Sequence, residues 1–335
     1  MLRTFLFLCC LSAGAHARMS WPETKYSYVD PVFTAYNPSD YSIDTKAIGA
    51  YAKQSVDSGV NVILLGGSTA EWPSLTQQER LELLKAWRTA VDSLSYSEGS
   101  EKPQILFHAG DISIAAAQTL ASKSKEYGAD AILIVSPCIM KPPTVQDLVS
   151  TIKSIAGMAP SLPSVYYHYP ALYTVDFKMD EFLDLSSDPV HGIPTLAGVK
   201  YIDGDMNTFT NATGVENSSY TLFNNDPLLA GMAAGSKGAI SYTTIFPMVQ
   251  KMRAAYESGD MDAARKIERD IIEYGALINT YGAKSAARNL PKLFGGPDLG
   301  PPRPPLVPQT PEQFNSFKAA LEAAGFLQGG DKYYL

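Results

Sequence analysis

A lysine and a tyrosine stand near the ends of two consecutive predicted strands. Lys200 closes an otherwise apolar strand predicted for residues 196–200, and Tyr167 belongs to the strand predicted for residues 164–168. A lysine in apolar surroundings loses hydration, which lowers its pKa toward the range where the free amine is a nucleophile. Imine formation requires that free amine and a nearby group that moves protons. The pair predicts Schiff-base chemistry; the alternative for Lys200 is a solvated surface lysine.

A second candidate group follows the strand predicted for residues 61–65. Gly66 and Gly67 let the backbone approach a ligand, and two hydroxyls follow at Ser68 and Thr69. Such a turn can hold a carboxylate or phosphate oxygen through its hydroxyls and backbone amides. The alternative is an ordinary loop whose Ser or Thr caps the next helix.

The elements that must position these residues alternate along the chain. Short β-branched or aliphatic runs alternate with stretches of helical period, which is typical of repeated βα units. The predicted strands are 28–33, 61–65, 104–109, 131–135, 164–168, 196–200, 220–224 and 238–241, and the predicted helices include 45–58, 76–94, 113–127, 144–157, 227–234, 248–258, 260–281 and 311–324. We predict an α/β fold, a (β/α)8 TIM barrel with reactive groups at the C-terminal ends of its strands. An open doubly wound sheet is the alternative, and no GxGxxG follows its first strand.

Three segments divide the chain in this interpretation. Residues 1–17 form a signal peptide, residues 18–245 the barrel, and residues 246–335 a C-terminal helical extension packed on the barrel. The extension is interrupted by a Pro/Gly-rich stretch at 295–308 and is too thin to bury a core of its own.

Composition and charge favour a small neutral or carbonyl-bearing ligand. The 335 residues hold 27 Lys+Arg against 34 Asp+Glu, a net charge of −7, and no basic stripe that could neutralise phosphates. With 45% hydrophobic and 18% charged residues, the chain can bury a sizeable core. We therefore expect no nucleic-acid partner.

The N-terminal segment predicts secretion. Arg3 precedes an apolar run at 5–11, and small residues at 15–17 suit cleavage after Ala17. The run is far shorter than the roughly 20 residues of a membrane span, so we expect no membrane partner. A mitochondrial presequence is the alternative localisation.

Modification and redox state follow from that compartment. Sequons at Asn211 and Asn217 predict a glycoprotein. Two of the 3 cysteines precede residue 17, so Cys138 remains alone and forms no internal disulfide. We interpret Cys138 as a small packing residue, with an activated thiol as the alternative.

Four ordered motifs resemble one family. They are residues 68–75 (STAEWPSL) with Glu79-Arg80, similar to the signature GTTGE-x-x-SL-x-x-x-ER; 165–172 (VYYHYPAL), similar to YYHIPAL; 198–201 (GVKY), similar to GLK/GIK; and 300–306 (GPPRPPL), similar to GPPRxPL. The chain resembles the N-acetylneuraminate lyase and dihydrodipicolinate synthase superfamily of class I, pyruvate-dependent aldolases, and the lyase branch most closely.

The resemblance implies roles for these residues. Lys200 would form the imine with pyruvate, Tyr167 would move the proton at the substrate oxygen, and Ser68 and Thr69 would hold the pyruvate carboxylate. The protonated imine is itself the electron sink, so the family implies neither metal nor cofactor. The 4 histidines also show no ligand spacing. The resemblance further implies a homotetramer.

The chain departs from the pattern in the half of the site that holds the aldehyde. Ala171-Leu172 stands where the synthases carry Gly-Arg, which removes a clamp for a second carboxylate. Where the lyases carry Asp-Glu, Asp226 alone is retained, and Ser241 lies near the position of the lyase serine.

These departures leave three hypotheses. The first is a carbon–carbon lyase that cleaves a sialic-acid-type 2-keto-3-deoxy sugar acid, N-acetylneuraminate, to pyruvate and an N-acyl hexosamine. The second is another pyruvate aldolase or dehydratase of the superfamily, acting on 4-hydroxy-2-oxoglutarate or resembling dihydrodipicolinate synthase. The third is a secreted sugar-acid binding protein without catalysis. The expected small-molecule partner is in each case a keto acid or sugar acid.

Overall fold

The computed structural model describes residues 19–22, 26–96, 102–215, 221–224 and 227–332. The predicted signal peptide at 1–17, Asn217 and Asp226 lie outside the described residues. Within the described ranges, no helix combines the length and the apolar character that a membrane crossing needs.

Parallel strands form the centre of the fold. They are β1 (Ser27–Pro31), β2 (Val62–Leu65), β3 (Gln104–His108), β4 (Ala131–Val135), β5 (Ser164–His168), β6 (Leu196–Tyr201), β7 (Thr221–Asn224) and β8 (Gly238–Ile240). Each strand pairs in parallel with its neighbour in the sequence, and β1 also pairs with β8, so the pairings link all of them in a ring.

Helices connect and cover the strands. They are α1 (Thr45–Asp57), α2 (Gln77–Ser93), α3 (Ile114–Ser124), α4 (Val145–Ala156), α5 (Pro170–Tyr173), α6 (Met179–Ser186), α7 (Met206–Thr213), α8 (Leu228–Ala233), α9 (Phe246–Glu257), α10 (Met261–Thr280), α11 (Lys284–Ala287), α12 (Leu290–Leu293) and α13 (Pro311–Ala323). Side-chain caps fix several starts: Thr76 and Glu79 form a capping box at α2, and Thr310 and Gln313 form another at α13.

The strands divide the apolar core into two layers. In β5, Val165 and Tyr167 belong to the inner cluster enclosed by the strands, whereas Tyr166 belongs to the outer cluster between strands and helices. The Tyr166 ring lies 4.6 Å from the ring of Phe182 on α6. Alternation along a strand therefore decides which side chains enter the central space.

The C-terminal helices pack against the rest of the fold. α10 contacts α8, α9, α11 and α13. Four residues of α10, namely Ile271, Gly275, Ile278 and Asn279, also line the cavity described below. This segment is therefore part of the wall around the central cavity as well as a covering layer.

The predicted α/β class is confirmed, and each predicted strand is present with ends that differ by at most two residues. α5, α6, α7, α11 and α12 were not among the helices predicted above. Asn211, the acceptor of the first predicted sequon, lies in the last turn of α7 and is exposed.

Candidate active site

Lys200 and Tyr167 are pairing partners on the neighbouring strands β6 and β5. Lys200 is only 3% exposed, and its Nζ lies 4.0 Å from the centroid of the Tyr167 ring. Both residues line one cavity at the C-terminal ends of the strands. The structure thus brings together the amine and the phenol that the sequence singled out.

An irregularity in β6 produces this arrangement. The pairing of β5 with β6 skips one residue, Ala197, near the start of the strands. Ala197 faces the inner cluster, so uninterrupted alternation would point Lys200 outward toward the helices. The skipped residue reverses the alternation, and Lys200 faces inward beside Tyr167.

Burial changes the acid–base behaviour of Lys200. Loss of hydration lowers the pKa of its amine from 10.5 to about 7. Within the described residues, no carboxylate forms an ion pair with this amine that would restore the charged form. The free, nucleophilic amine is therefore accessible near neutral pH.

Tyr167 remains a neutral phenol. Burial, followed by the neighbouring Tyr173, raises the pKa of Tyr167 above its ordinary value, and the hydrogen bond with Ser68 opposes this rise. The Oγ of Ser68 lies 3.1 Å from the Tyr167 hydroxyl oxygen. The phenol therefore has a hydroxyl neighbour with which it can exchange a proton.

A buried ion pair stabilises the turn after β2. Gly66 has φ 70° and Glu71 has φ 60°, so the chain turns through two left-handed residues on either side of Ser68 and Thr69. Glu71 accepts a hydrogen bond from Arg288 at 2.9 Å and another from the backbone N–H of Arg303 at 3.0 Å. Both Arg288 and Glu71 are 3% exposed. The C-terminal segment thus fixes the shape of this turn.

The cavity has a volume of about 440 Å³. Of the predicted site residues, Ser68, Thr69, Tyr167, Lys200 and Ser241 line it, whereas Asp226 lies outside the described residues. Residues of α10 and Lys284 at the start of α11 complete the wall. Sequence reasoning missed this contribution, because helical periodicity predicts that α10 exists but does not say which strand ends it covers.

The comparisons with known proteins agree with this geometry. Residues 27–324 match the Dihydrodipicolinate synthetase family. The chain belongs to this family. It is 30% identical over 321 residues to the N-acetylneuraminate lyase of Pongo abelii, covering 93% of this chain and 97% of the relative. The N-acetylneuraminate lyase of Homo sapiens is 29% identical over 321 residues, with the same shares of 93% and 97%.

Solved structures of family members share the fold. The N-acetylneuraminate lyase of Proteus mirabilis superposes with a TM-score of 0.81 at 28% identity and covers 90% of this chain and 99% of its own. A dihydrodipicolinate synthase of Bacillus anthracis superposes with a TM-score of 0.76 at 24% identity, covering 89% and 98%. The similarity to this synthase supports a shared fold and nothing more.

Two of the motifs that carried the family resemblance meet in space. The Arg303 guanidinium, from the late GPPR stretch, binds the carboxylate of Glu79 at 2.6 and 3.1 Å and the carbonyl oxygen of Ser74 at 2.8 Å. A bidentate arginine–carboxylate pair fixes orientation as well as distance. In this family member, the late motif therefore holds the early signature beside the cavity.

Two further groups lie away from the cavity wall. Ligand atoms of His168, Asp176 and Asp203 lie within 4.8 Å of one another and could hold a metal ion, a set that the scattered histidines did not reveal. Cys138 is a free, half-buried thiol that packs against the inner apolar cluster. Neither group contributes to the pairing of Lys200 with Tyr167.

Proposed function

We propose that this chain is a Schiff-base lyase that cleaves a sialic-acid-type 2-keto-3-deoxy sugar acid, N-acetylneuraminate, to pyruvate and an N-acyl hexosamine. The observation that carries the proposal is the buried amine of Lys200, 4.0 Å from the Tyr167 ring in a cavity of about 440 Å³. A (β/α)8 barrel with a C-terminal helical extension is the scaffold we propose for it.

Lys200 begins the reaction. Its free amine attacks C2 of the open-chain keto acid, and the C2 oxygen leaves as water, which forms a protonated imine. The C3–C4 bond then breaks, and its electron pair moves toward the imine to give an enamine. The C4 hydroxyl loses its proton, and the aldehyde is released. A proton added at C3 and hydrolysis of the imine return pyruvate and the free amine.

Tyr167 and the turn after β2 serve this sequence of steps. Tyr167 relays the proton that leaves the C4 hydroxyl, with Ser68 hydrogen bonded to its phenol at 3.1 Å. The hydroxyls and amides of Ser68 and Thr69 hold the substrate carboxylate, and Ser241 faces the remaining part of the substrate. The protonated imine accepts the electron pair, so the steps require no metal.

The cavity wall favours a sugar acid over a dicarboxylate partner. Leu172, which by the sequence resemblance stands where the synthases carry an arginine, lines the cavity. An apolar side chain there gives no charged partner to a second carboxylate on the aldehyde half. A 4-hydroxy-2-oxoglutarate substrate would lack that contact.

Two measurements test the proposal. Incubation with N-acetylneuraminate should release pyruvate, and 4-hydroxy-2-oxoglutarate should be cleaved more slowly. Borohydride reduction in the presence of pyruvate should add one three-carbon unit to the peptide that contains Lys200, and the Lys200→Ala variant should take up none. Wild-type protein that yields no adduct, or a Lys200→Ala variant that keeps full turnover, would overturn the mechanism. Tight binding of N-acetylneuraminate without pyruvate release would favour the binding-protein alternative.

The cellular compartment and the number of subunits are proposed from the sequence. We propose that residues 1–17 direct secretion and are removed, and that the mature chain forms a homotetramer. Mass spectrometry of the secreted protein reads the new N-terminus and any glycan at Asn211 or Asn217. Light scattering on the same material gives the number of subunits.

A further inference from the structure

A second lysine lies beside the proposed carboxylate site. Lys284 opens α11 and lines the same cavity as Lys200. Its Nζ donates a hydrogen bond to the carbonyl oxygen of Ser68 at 3.0 Å, and the Oγ of Ser68 lies 3.1 Å from the hydroxyl of Tyr167. The ammonium group of Lys284 thus contacts the backbone of Ser68, whose hydroxyl is one of the two proposed to hold the substrate carboxylate.

The backbone holds Lys284 there at some conformational cost. Ala283, immediately before it, has φ 47° and ψ −110°, a region that residues with a side chain rarely adopt, and Gly282 has φ 113°. The following residue, Ser285, donates a hydrogen bond to the carbonyl oxygen of Val307 at 2.6 Å. Strain of this kind persists only where the surroundings enforce it, and here it projects a lysine from the C-terminal helices toward the barrel mouth.

The charge balance of the cavity leaves Lys284 available to an anion. Among the described residues that line the cavity, none is acidic. The nearby carboxylate of Glu71 is already bound by Arg288 at 2.9 Å and by the backbone N–H of Arg303 at 3.0 Å. An ammonium group has three N–H donors, and the contact with Ser68 uses one of them.

We propose that Lys284 binds the carboxylate of the 2-keto acid substrate and adds a positive charge to the neutral donors of Ser68 and Thr69. This inference rests on the proposed function, because it assumes that a keto acid occupies the cavity. Partial burial lowers the pKa of Lys284, and the charge of Glu71 opposes that shift. A bound carboxylate acts in the same direction as Glu71 and favours the charged amine.

Imine trapping with two ligands tests this role. Borohydride adducts on Lys200 are measured over a range of concentrations of pyruvate and of its uncharged ester, methyl pyruvate. In the Lys284→Met variant, the half-saturating concentration of pyruvate should rise at least about tenfold, the effect of losing a charge-assisted hydrogen bond. That of methyl pyruvate should change by less than about threefold. Lys284→Arg keeps the charge and should retain most of the pyruvate affinity.

The matched control is Lys318→Met, which removes an exposed lysine on α13 whose ion pair is with Glu322. It should leave both half-saturation values unchanged. Raising the salt concentration should weaken pyruvate binding in the wild-type protein but much less in Lys284→Met. The wild-type measurement needs no variant, so pyruvate binding that does not weaken with salt would overturn the inference even if Lys284→Met is poorly folded.

The outcomes separate the two proposals. Equal losses for pyruvate and methyl pyruvate in Lys284→Met would show that Lys284 only anchors the turn, which overturns the inference. An unchanged pyruvate half-saturation in that variant overturns it as well. Failure of the proposed function looks different, because the wild-type protein would then give no Lys200 adduct with either ligand.

Discussion

Replacing Lys200 with methionine is expected to stabilise the protein while it abolishes imine formation. Methionine has a similar length and carries no charge, so it fills the same space in the inner layer without the cost of a buried amine. The size of the gain follows from the difference in pKa between the folded and unfolded chains. It should therefore depend on pH in a direction that can be stated in advance.

The pKa of Lys200 is 10.5 in the reference state and about 7 in the folded protein. Between these values the unfolded chain holds a proton that the folded chain has released, so the penalty on folding is greatest at low pH and vanishes as the pH rises through 10.5. At about 1.4 kcal/mol per pH unit, the penalty is ~4 kcal/mol at pH 7 and ~2 kcal/mol at pH 9. The Tyr167 ring, 4.0 Å from Nζ, offsets part of it when the amine is charged. We expect Lys200→Met to gain between ~2 and ~4 kcal/mol at pH 7.

Urea unfolding at pH 7 and pH 9 measures the free energy of unfolding of both proteins. The gain at pH 9 should be smaller than the gain at pH 7, down to about half of it where the Tyr167 ring offsets little of the penalty. Lys318→Met, at a side chain that is 48% exposed, should change the free energy by no more than about 0.5 kcal/mol at either pH. A gain that does not depend on pH, or a Lys200→Met variant that is less stable than wild type at pH 7, would refute the argument that the amine is desolvated.

Three further predictions concern the site. Tyr167→Phe should still form the borohydride-trapped pyruvate adduct but turn over about 10² to 10⁴ times more slowly, and a loss below tenfold in a steady-state assay would exclude a proton relay through Tyr167. The kcat/KM should rise as the pH increases through about 7, because only the free amine of Lys200 attacks; a profile that is flat from pH 5 to 9 contradicts this. Glu71→Gln leaves the Arg288 charge buried without its partner and should cost ~3 kcal/mol, seen as a lower Tm in calorimetry; an unchanged Tm would mean that the pair does not stabilise the turn.

The strands were predictable because burial on both faces leaves a plain signal. Runs such as 131–135 and 164–168 are short, continuous and bounded by breakers, and the structure has strands with these same ends. Short helices such as α5 and α11 were not predicted, because four residues are too few for a helical period to show. Their boundaries depend on tertiary contacts more than on intrinsic preference.

The pairing of Lys200 with Tyr167 was predictable from residue type and strand position, but its surroundings were not. Lys200 and Tyr167 each lie near the end of a recognisable strand, and parallel strands bring their ends together. The ion pair between Glu71 and Arg288 joins residues that are 217 positions apart, and no local pattern encodes such a contact. Lys284 likewise sits in a short helix whose approach to the cavity depends on the path of the chain after α10.

The skipped residue Ala197 makes the proposed chemistry depend on how a residue without a reactive group is paired. In an uninterrupted ladder of the same residues, Ala197 would lie opposite Val165 and Lys200 opposite His168, and strand parity would carry the amine from the central space to the layer beneath the helices. Deleting Ala197 would instead close the skip and leave Lys200 opposite Tyr167, so the amine would keep its direction. In any redesign of this scaffold, the register of β6 between residues 196 and 200 therefore matters to the proposed activity as much as the lysine itself.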